Sequence, residues 1–515
     1  MKNRNYKKIL AVVIASAAIA TTAASVPAIS KLQSAKADSE ETTATSEDKS
    51  TASSDGKTQK NDGKQPPQMG NGETPPDKPE GDTSGPGNGE TPPDKPNGDT
   101  DSNGGGQGQQ PGGGNSTSVT YSSATTFKKS KTTKNRTYSS KKSGQNAVTA
   151  TGKTTRVTLN KAKITKTGSS SSSNGGDSDN FYGTNSAALA KDGATLTIKN
   201  STIKTTADGA NGTFAYGGNG AQNGATGDGS TIKISNSKIT TTGNNAGGIM
   251  TTGGGTTYAT NLTVKTSGTS SAAIRSDRGG GTVRVSKGTY TTTGTGSPAI
   301  YCTSDTSVKN ATLESKASEG IVIEGKNSVT LKNTDLTADN TKLNGQAKTY
   351  QAVMLYQSMS GDSAEGTAEF SAAGGSITNK NGSVFYVTNT TANIDLNHVK
   401  ITNKDSDDVL LKVAAGAWGT SKKNGGTVTL TAKKQTLSGK ITVDDISSLT
   451  LKLTKKSSFK GTINSGKQEG TVKVTVDKGS TWTLTGDSYV TSLTNNGTIN
   501  TNGHTLYVNG VAYNG

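Results

Sequence analysis

The stretch SSAAIRSDRGGGTV, residues 270–283, concentrates charge in a chain that is otherwise rich in Thr, Ser, Gly and Asn. It contains Arg275, Asp277 and Arg278 directly before three glycines. An arginine binds carboxylates and phosphates through paired hydrogen bonds, and an aspartate either pairs with such an arginine or binds a cation. We therefore regard the cluster as a candidate ligand-binding site. The alternative is ordinary surface charge beside a glycine turn.

Four similar segments, GGIMTT, AAIRSD, PAIYCT and GIVIEG, indicate which way these side chains point. Their central residues, Ile249, Ile274, Ile300 and Ile321, recur every 21 to 26 positions. If these isoleucines point inward, strand alternation turns their neighbours outward. The same alternation buries Cys302 and predicts an unreactive thiol. The candidate ligand contacts on the outward face are Arg275, Asp277, Tyr301 and Glu324, with Arg278 beside them.

A second candidate site lies in SSSSNGGDSDNFYGTNSA, residues 170–187. The oxygens of Asp177, Asp179 and Asn180 are closely spaced and of the type that Ca²⁺ prefers. The segment lacks the glycine and the terminal glutamate of a complete EF-hand loop. A polar loop without calcium is therefore the alternative interpretation.

Aromatic side chains provide a further indication, because a flat ring covers the C–H face of a sugar. Tyr182, Tyr258 and Tyr301 are candidates for such stacking. Trp418 lies in the Gly-rich segment AAGAWGTSKKNGG, where the sequence offers nothing obvious to bury it. We expect Trp418 to contact a ligand, and its alternative role is to anchor a loop.

These candidates are embedded in a repeated unit of just over 20 residues, seen in TLTIKNSTIKTTA, STIKISNSKITTTG and GTVRVSKGTYTTTG. Each unit offers three short strands with a period of two, and no stretch has helical periodicity. One unit alone buries too little apolar surface, whereas stacked units share a continuous core. The sequence therefore predicts an all-β solenoid, a parallel β-helix over residues 119–424, with further rungs and a cap over residues 425–515.

An asparagine recurs at the junction between the second and third strands of the unit. Asparagine tolerates the left-handed backbone of a tight turn, and its amide can bond the asparagine stacked above it. At this feature the sequence resembles the right-handed parallel β-helix proteins of the pectate-lyase-like superfamily, in which an asparagine ladder occupies such a turn. The predicted ladder comprises Asn200, Asn236, Asn261, Asn310 and Asn333, with Asn160 and Asn397 in weaker units and Lys287 as an interruption.

The phrases AAIRSDRGGGTV, GIVIEGKNSVTL and VMLYQSMSGD resemble the β-strand-repeat, adhesin-like surface proteins of Gram-positive gut bacteria. This resemblance implies a surface location and no established biochemical activity. The pectate-lyase-like resemblance implies an alternative, a polysaccharide lyase in which Arg275 or Arg278 removes a proton next to a uronate carboxylate. Only Asp277 and Glu324 lie near that face as calcium ligands, and no lyase motif matches residue by residue.

The N-terminal part of the sequence indicates export. A basic stretch, a short apolar run and Ala35-Lys36-Ala37 predict a secretory signal peptide over residues 1–37. Residues 38–118 are rich in Pro, Gly, Ser and Asp, which predicts a disordered linker. We expect a secreted or extracellular protein, associated with the cell wall, without a membrane span.

The overall composition limits the functions that this chain can have. Only 28% of the residues are hydrophobic, and the single cysteine excludes an internal disulfide framework. The two histidines and one cysteine provide no metal cluster and no convincing catalytic triad. The formal net charge of +17 favours a glycan or anionic wall polymer as partner, and we expect no nucleic acid partner. The leading hypothesis is a non-catalytic surface protein for adhesion or carbohydrate binding, with lyase activity as the alternative.

Overall fold

The computed structural model describes residues 119–170, 176–220, 222–344 and 347–514. The predicted signal peptide and linker, residues 1–37 and 38–118, lie outside them. Within the described residues the regular structure is almost entirely β-strand. The helical element is one short π-helical turn, Ser178–Tyr182.

The first strands of successive coils form one parallel sheet of 12 strands. Neighbouring strands in it are separated along the chain by the rest of a coil, as stacking of repeats requires. We call it the first sheet. Its strands are Ser122–Phe127, Gln145–Thr151, Ala188–Lys191, Thr213–Tyr216, Ile249–Thr252, Ile274–Ser276, Ile300–Cys302, Ile321–Glu324, Gln351–Tyr356, Ser383–Thr388, Val409–Val413 and Lys440–Val443.

The second and third strands of the coils together form a sheet of 20 strands, because several long strands run through the turn between them. We call its two halves the second and third sheets. Its strands are Lys131–Lys134, Thr137–Ser140, Arg156–Asn160, Lys163–Lys166, Thr195–Lys199, Thr202–Thr205, Thr231–Ser235, Lys238–Thr241, Gly255–Thr266, Gly281–Thr292, Asp305–Lys309, Thr312–Ser315, Ser328–Ala338, Thr367–Asn379, Thr391–Asn397, Lys400–Asn403, Thr427–Lys433, Ser448–Thr454, Thr471–Val476 and Ser492–Asn495.

Two smaller sheets complete the C-terminal end. Four parallel strands pair at Thr436–Ser438, Ser458–Lys460, Thr481–Thr483 and Thr498–Asn500. Within this sheet Trp482 stacks on Phe459 at 5.8 Å between ring centroids, which fills the core of the last coils. The final sheet contains Ser488–Val490, Leu506–Val508 and Val511–Ala512, and its last pair is antiparallel.

The core is a narrow column inside the coil. Ile249, Ile274, Ile300 and Ile321 pair directly with one another on successive strands and belong to one buried apolar cluster. Stacking of identical positions buries a methyl-rich column with few residues per coil, which explains how a chain poor in apolar residues folds. Cys302 is also fully buried, as the alternation predicts. The predicted parallel β-helix is confirmed.

The turn between the second and third sheets has the predicted left-handed backbone. Asn200, Asn236, Asn261, Asn310 and Asn333 have φ values between 45 and 53°. Two pairs of neighbouring rungs are bonded side chain to side chain, from Asn261 Nδ2 to Asn236 Oδ1 at 2.9 Å and from Asn200 Nδ2 to Asn160 Oδ1 at 3.0 Å.

Two positions of the predicted ladder need correction. Lys161 and His398, rather than Asn160 and Asn397, occupy the left-handed position in their coils. Asn160 still accepts a hydrogen bond from the ladder above it. Lys287 has φ 62° and continues the turn, but Gly288 after it also has a positive φ of 103°, so this rung is locally irregular as the interruption predicts. A left-handed residue is needed in every coil, and neighbouring rungs impose it on lysine and histidine as well.

Candidate functional site

Loops between the coils cover the outer side of the first sheet. The outward positions of this sheet form a second apolar layer that is packed against the loops rather than exposed. Trp418 and Ala347, both from loops, pack there beside strand residues. The strand residues of this layer are Tyr301, Val322, Met354, Tyr356 and Tyr386.

Arg275 and Asp277 lie under this cover. Met250, Arg275 and Tyr301 pair in register on successive strands, as the sequence predicts. The sequence predicted that Arg275 and Asp277 face outward and are accessible to a ligand. Both are buried instead, since Arg275 is 3% exposed and Asp277 is 0% exposed. Arg275 Nη2 donates to Asp277 Oδ2 at 3.0 Å, and Nη1 donates to the Ser270 carbonyl at 3.1 Å. The pair is a buried ion pair whose charges compensate each other.

Glu324 is likewise buried, although it lies on the predicted outward side of its strand. Its carboxylate accepts hydrogen bonds from the hydroxyls of Tyr301, Tyr356 and Ser358. Burial, reinforced by the nearby Glu324 charge, raises the pKa of both tyrosines well above the ordinary value. These tyrosines therefore stay neutral donors to the carboxylate. Tyr301 is 8% exposed, so its ring offers no open stacking face.

Arg278 joins two loops above the sheet. Its Nε donates to Asp362 Oδ1 at 2.7 Å, and its Nη1 lies 3.9 Å from Asp177 Oδ2. The guanidinium carbon also lies 3.9 Å from the centre of the Phe181 ring. The arginine therefore holds the two loops, residues 176–187 and 357–366, against the turn that carries Gly279 and Gly280.

The three residues considered for calcium have different surroundings. The side chain of Asp177 is 79% exposed and faces Arg278. Asp179 is buried, and its two carboxylate oxygens accept hydrogen bonds from the Ser170 and Thr184 hydroxyls. Asn180 is buried beside it. Within the described residues no group of three or more His, Cys, Asp or Glu side chains is arranged to bind a metal ion.

The aromatic candidates differ in accessibility. Trp418 is only 2% exposed and packs edge-on against Tyr356, with 5.1 Å between ring centroids. Tyr182 packs edge-on against Tyr216 at 5.4 Å. Tyr258, on the outer face of the second sheet, is 46% exposed and remains open for stacking.

An open groove lies next to the covered face, at the turn between the first and second sheets. It has a volume of about 700 Å³. The glycine turn Gly279–Gly281 contributes to it, and the loop around Asn223 forms one wall. Asn223 Nδ2 donates to the Gly361 carbonyl at 2.8 Å and its Oδ1 accepts from the Gly279 N–H at 3.0 Å, which fixes that wall. This wall is therefore polar and is tied to the Gly279 turn and to the loop that carries Gly361.

A regular row of polar side chains lines this groove. Its members pair in register on four successive strands, so each coil contributes one of them. Strands in a sheet are about 4.7 to 4.9 Å apart, so the row repeats with that spacing. The row comprises Thr282, Asp305, Ser328 and Glu369.

The groove continues along the coil axis into a second depression of about 370 Å³, which shares Thr367 with it. Acids and lysines are mixed along the whole length. Arg284 forms an ion pair with Asp305, and Asn393 Nδ2 donates to Glu369 Oε1 at 2.9 Å. The charged residues that line the two parts are Asp305, Lys326, Glu365, Glu369 and Lys423.

The basic side chains on the outer face of the second sheet, which we call the basic stripe, are divided between two rows. Lys309 pairs directly with Lys332, while Lys233 and Arg284 lie in the other row on either side of Tyr258. Serine and threonine separate the remaining lysines of the stripe, which include Lys199. Lys233 Nζ lies 6.0 Å from the centre of the Tyr258 ring. The outer face therefore carries dispersed positive charge.

Sequence reasoning missed the groove, because Thr, Ser, Gly and Asn line much of it. The available signal was the register itself, which aligns Thr282, Asp305 and Ser328. Comparison with protein-family models, curated proteins and solved structures finds no match to this chain. No helix among the described residues is long and apolar enough to cross a membrane.

Proposed function

We propose that this protein is a secreted or cell-surface, non-catalytic β-helix protein that binds a polysaccharide and serves adhesion. The observation that carries the proposal is the groove of about 700 Å³ with its row of polar side chains on successive coils. Solenoids offer extended concave surfaces of this kind to long partners. A linear polymer can make the same contact at each coil.

The chemistry of the groove suits a sugar chain. Hydroxyl, amide and carboxylate groups bond to sugar hydroxyls as donors and acceptors. Gly279 and Gly280 expose backbone without a side chain, so a ligand can approach closely. Because the wall is fixed by Asn223, little ordering is needed on binding.

The charges of the groove and of the second sheet suit different partners. Acids and lysines are mixed in the groove, and anionic polymers would meet the carboxylates of Glu365 and Glu369 there. An uncharged glycan therefore fits the groove better than an anionic wall polymer. The dispersed lysines of the second sheet suit long-range attraction to anionic cell-wall material.

The surroundings of the two arginines favour binding over lyase chemistry. A general base must lie within hydrogen-bonding reach of the proton that it removes. Arg275 is buried and paired with Asp277, and Arg278 is paired with Asp362. Neither arginine lines the groove.

Binding of the full-length protein on an array of uncharged and acidic polysaccharides tests this proposal. Ser328→Tyr places a ring in the row and should abolish binding in the groove. Thr330→Tyr is the matched control, because Thr330 lies two residues further along the same strand, points to the same side and does not line the groove. Binding by the wild type and the control, but not by Ser328→Tyr, supports the proposal. Absence of wild-type binding, or equal binding by both variants, contradicts it.

A further inference from the structure

A cavity that is separate from both parts of the groove lies under the loop of residues 414–425. Its volume is about 270 Å³. The cavity is bounded on one side by Lys348 and Thr349 and on the other by Ala415, Gly416 and neighbouring loop residues. Tyr386 and Lys412, which pair in register on adjacent strands of the first sheet, form its base.

Two fixed aromatic rings contribute to the walls. Trp418 and Tyr386 are 2% and 4% exposed, and both line the cavity. Trp418 is held by its edge-on contact with Tyr356. The Tyr386 hydroxyl donates to the Ala415 carbonyl at 3.4 Å. At this burial neither ring has an open stacking face, and Lys412 Nζ lies 5.6 Å from the centre of the Tyr386 ring, so the two rings supply fixed, partly apolar walls.

The charge of the cavity is positive. Lys348 and Lys412 line it, and no acidic side chain does. Neither lysine forms an ion pair with any residue that the structure describes. One carboxylate lies behind this lining, because Asp444 Oδ2 accepts from the Ala415 N–H at 2.6 Å and keeps its charge in that hydrogen bond. The two lysines that line the cavity outnumber this carboxylate and attract an anionic group.

We propose that this cavity binds a single sugar unit that carries one anionic group, a carboxylate or a phosphate. The volume lies just below the range of about 300 to 1,000 Å³ typical of ligand pockets, which fits one sugar ring rather than a chain. The sugar ring fits between these walls, and Lys348 and Lys412 bind its anion. This cavity differs from the groove in charge and in size, so the test of one binding proposal can fail while the other proposal holds.

Calorimetric titration of the full-length protein with glucuronate, glucose 6-phosphate and glucose tests this site. Binding of either anion but not of glucose is expected, and comparison of the two anions shows which group the lysines prefer. Lys412→Gln should weaken binding about tenfold or more, because a hydrogen bond to a charged group is lost. Lys404→Gln, at an exposed lysine outside the cavity, should leave the affinity unchanged.

Tryptophan fluorescence gives a second measurement that does not depend on the lysine variants. The chain has two tryptophans, and Trp482 is fully buried in the coil core. Glucuronate should therefore change the emission of the wild type but not that of Trp418→Phe. Equal responses to glucose and glucuronate, an unchanged affinity in Lys412→Gln, or no binding of either anion would overturn the proposal.

Discussion

At the scale of single residues, Arg275 and Asp277 show how burial changes the role of a charge. Their residue types suit ligand binding, but here each satisfies the other within a layer that loops have closed. A buried ion pair contributes little net stability, since desolvation of both charges offsets their attraction. Removal of one partner is costly, because the other charge then stays buried alone.

Asp277→Ala should therefore lower the free energy of unfolding by about 3–5 kcal/mol. The double variant Arg275→Met, Asp277→Leu should recover most of that loss, because no uncompensated charge remains. Urea unfolding of the wild type and both variants measures the effect. A contact residue on an open surface would behave differently, with a small cost in the single variant and no recovery in the double one.

At the scale of elements, the turn between the second and third sheets positions every coil. Each coil needs one left-handed residue there, and asparagine supplies that backbone and, from Asn261 to Asn236, also a hydrogen bond to the next rung. Lys287 adopts φ 62° between Asn261 and Asn310 without offering a ladder amide. Left-handed backbone costs a residue other than glycine or asparagine roughly 1–2 kcal/mol.

Lys287→Asn should raise the free energy of unfolding by about 1 kcal/mol, because it relieves this strain and completes the ladder. Lys287→Gly is the matched control, since it relieves the backbone strain without adding an amide. Urea unfolding compares the two variants with the wild type. A decrease in stability for Lys287→Asn would contradict the expected role of the rung, and equal values for both variants would assign the gain to the backbone alone.

At the scale of the whole molecule, global unfolding depends on ionisable groups buried in different coils. Lys166 is fully buried, its Nζ donates to the Lys142 carbonyl at 2.9 Å, and burial lowers its pKa from 10.5 to about 8. Between these values the unfolded chain holds a proton that the folded chain has released, so stability rises with pH. Burial raises the pKa of Tyr290, Tyr301 and Tyr356, so these hydroxyls keep protons that the unfolded chain loses.

The free energy of unfolding should therefore rise between about pH 8 and pH 10 and fall above about pH 10. Lys166→Met should remove the rise and leave the fall, since the tyrosines are unchanged. Urea unfolding at a series of pH values measures both the rise and the fall of the free energy of unfolding. A rise that persists in Lys166→Met would show that another group causes it.

The sequence determined the coil. Strand alternation and the repeat place the isoleucine column, the outward row of Arg275 and Tyr301, and most of the asparagine turn, because these depend on neighbours along one strand and on identical positions one coil away. The right-handed sense of the coil, the export of the chain and the resemblance to surface adhesins stay predictions.

Only the tertiary structure decided what is exposed. Loops with no repeat of their own close over the first sheet through contacts between distant residues, such as Arg278 with Asp362, which are 84 positions apart. That closure buries Arg275, Glu324 and Trp418. It leaves open the row of Thr282, Asp305, Ser328 and Glu369, which lines the groove beside the loop around Asn223. Exposure depends on packing across the whole fold, which no local pattern records.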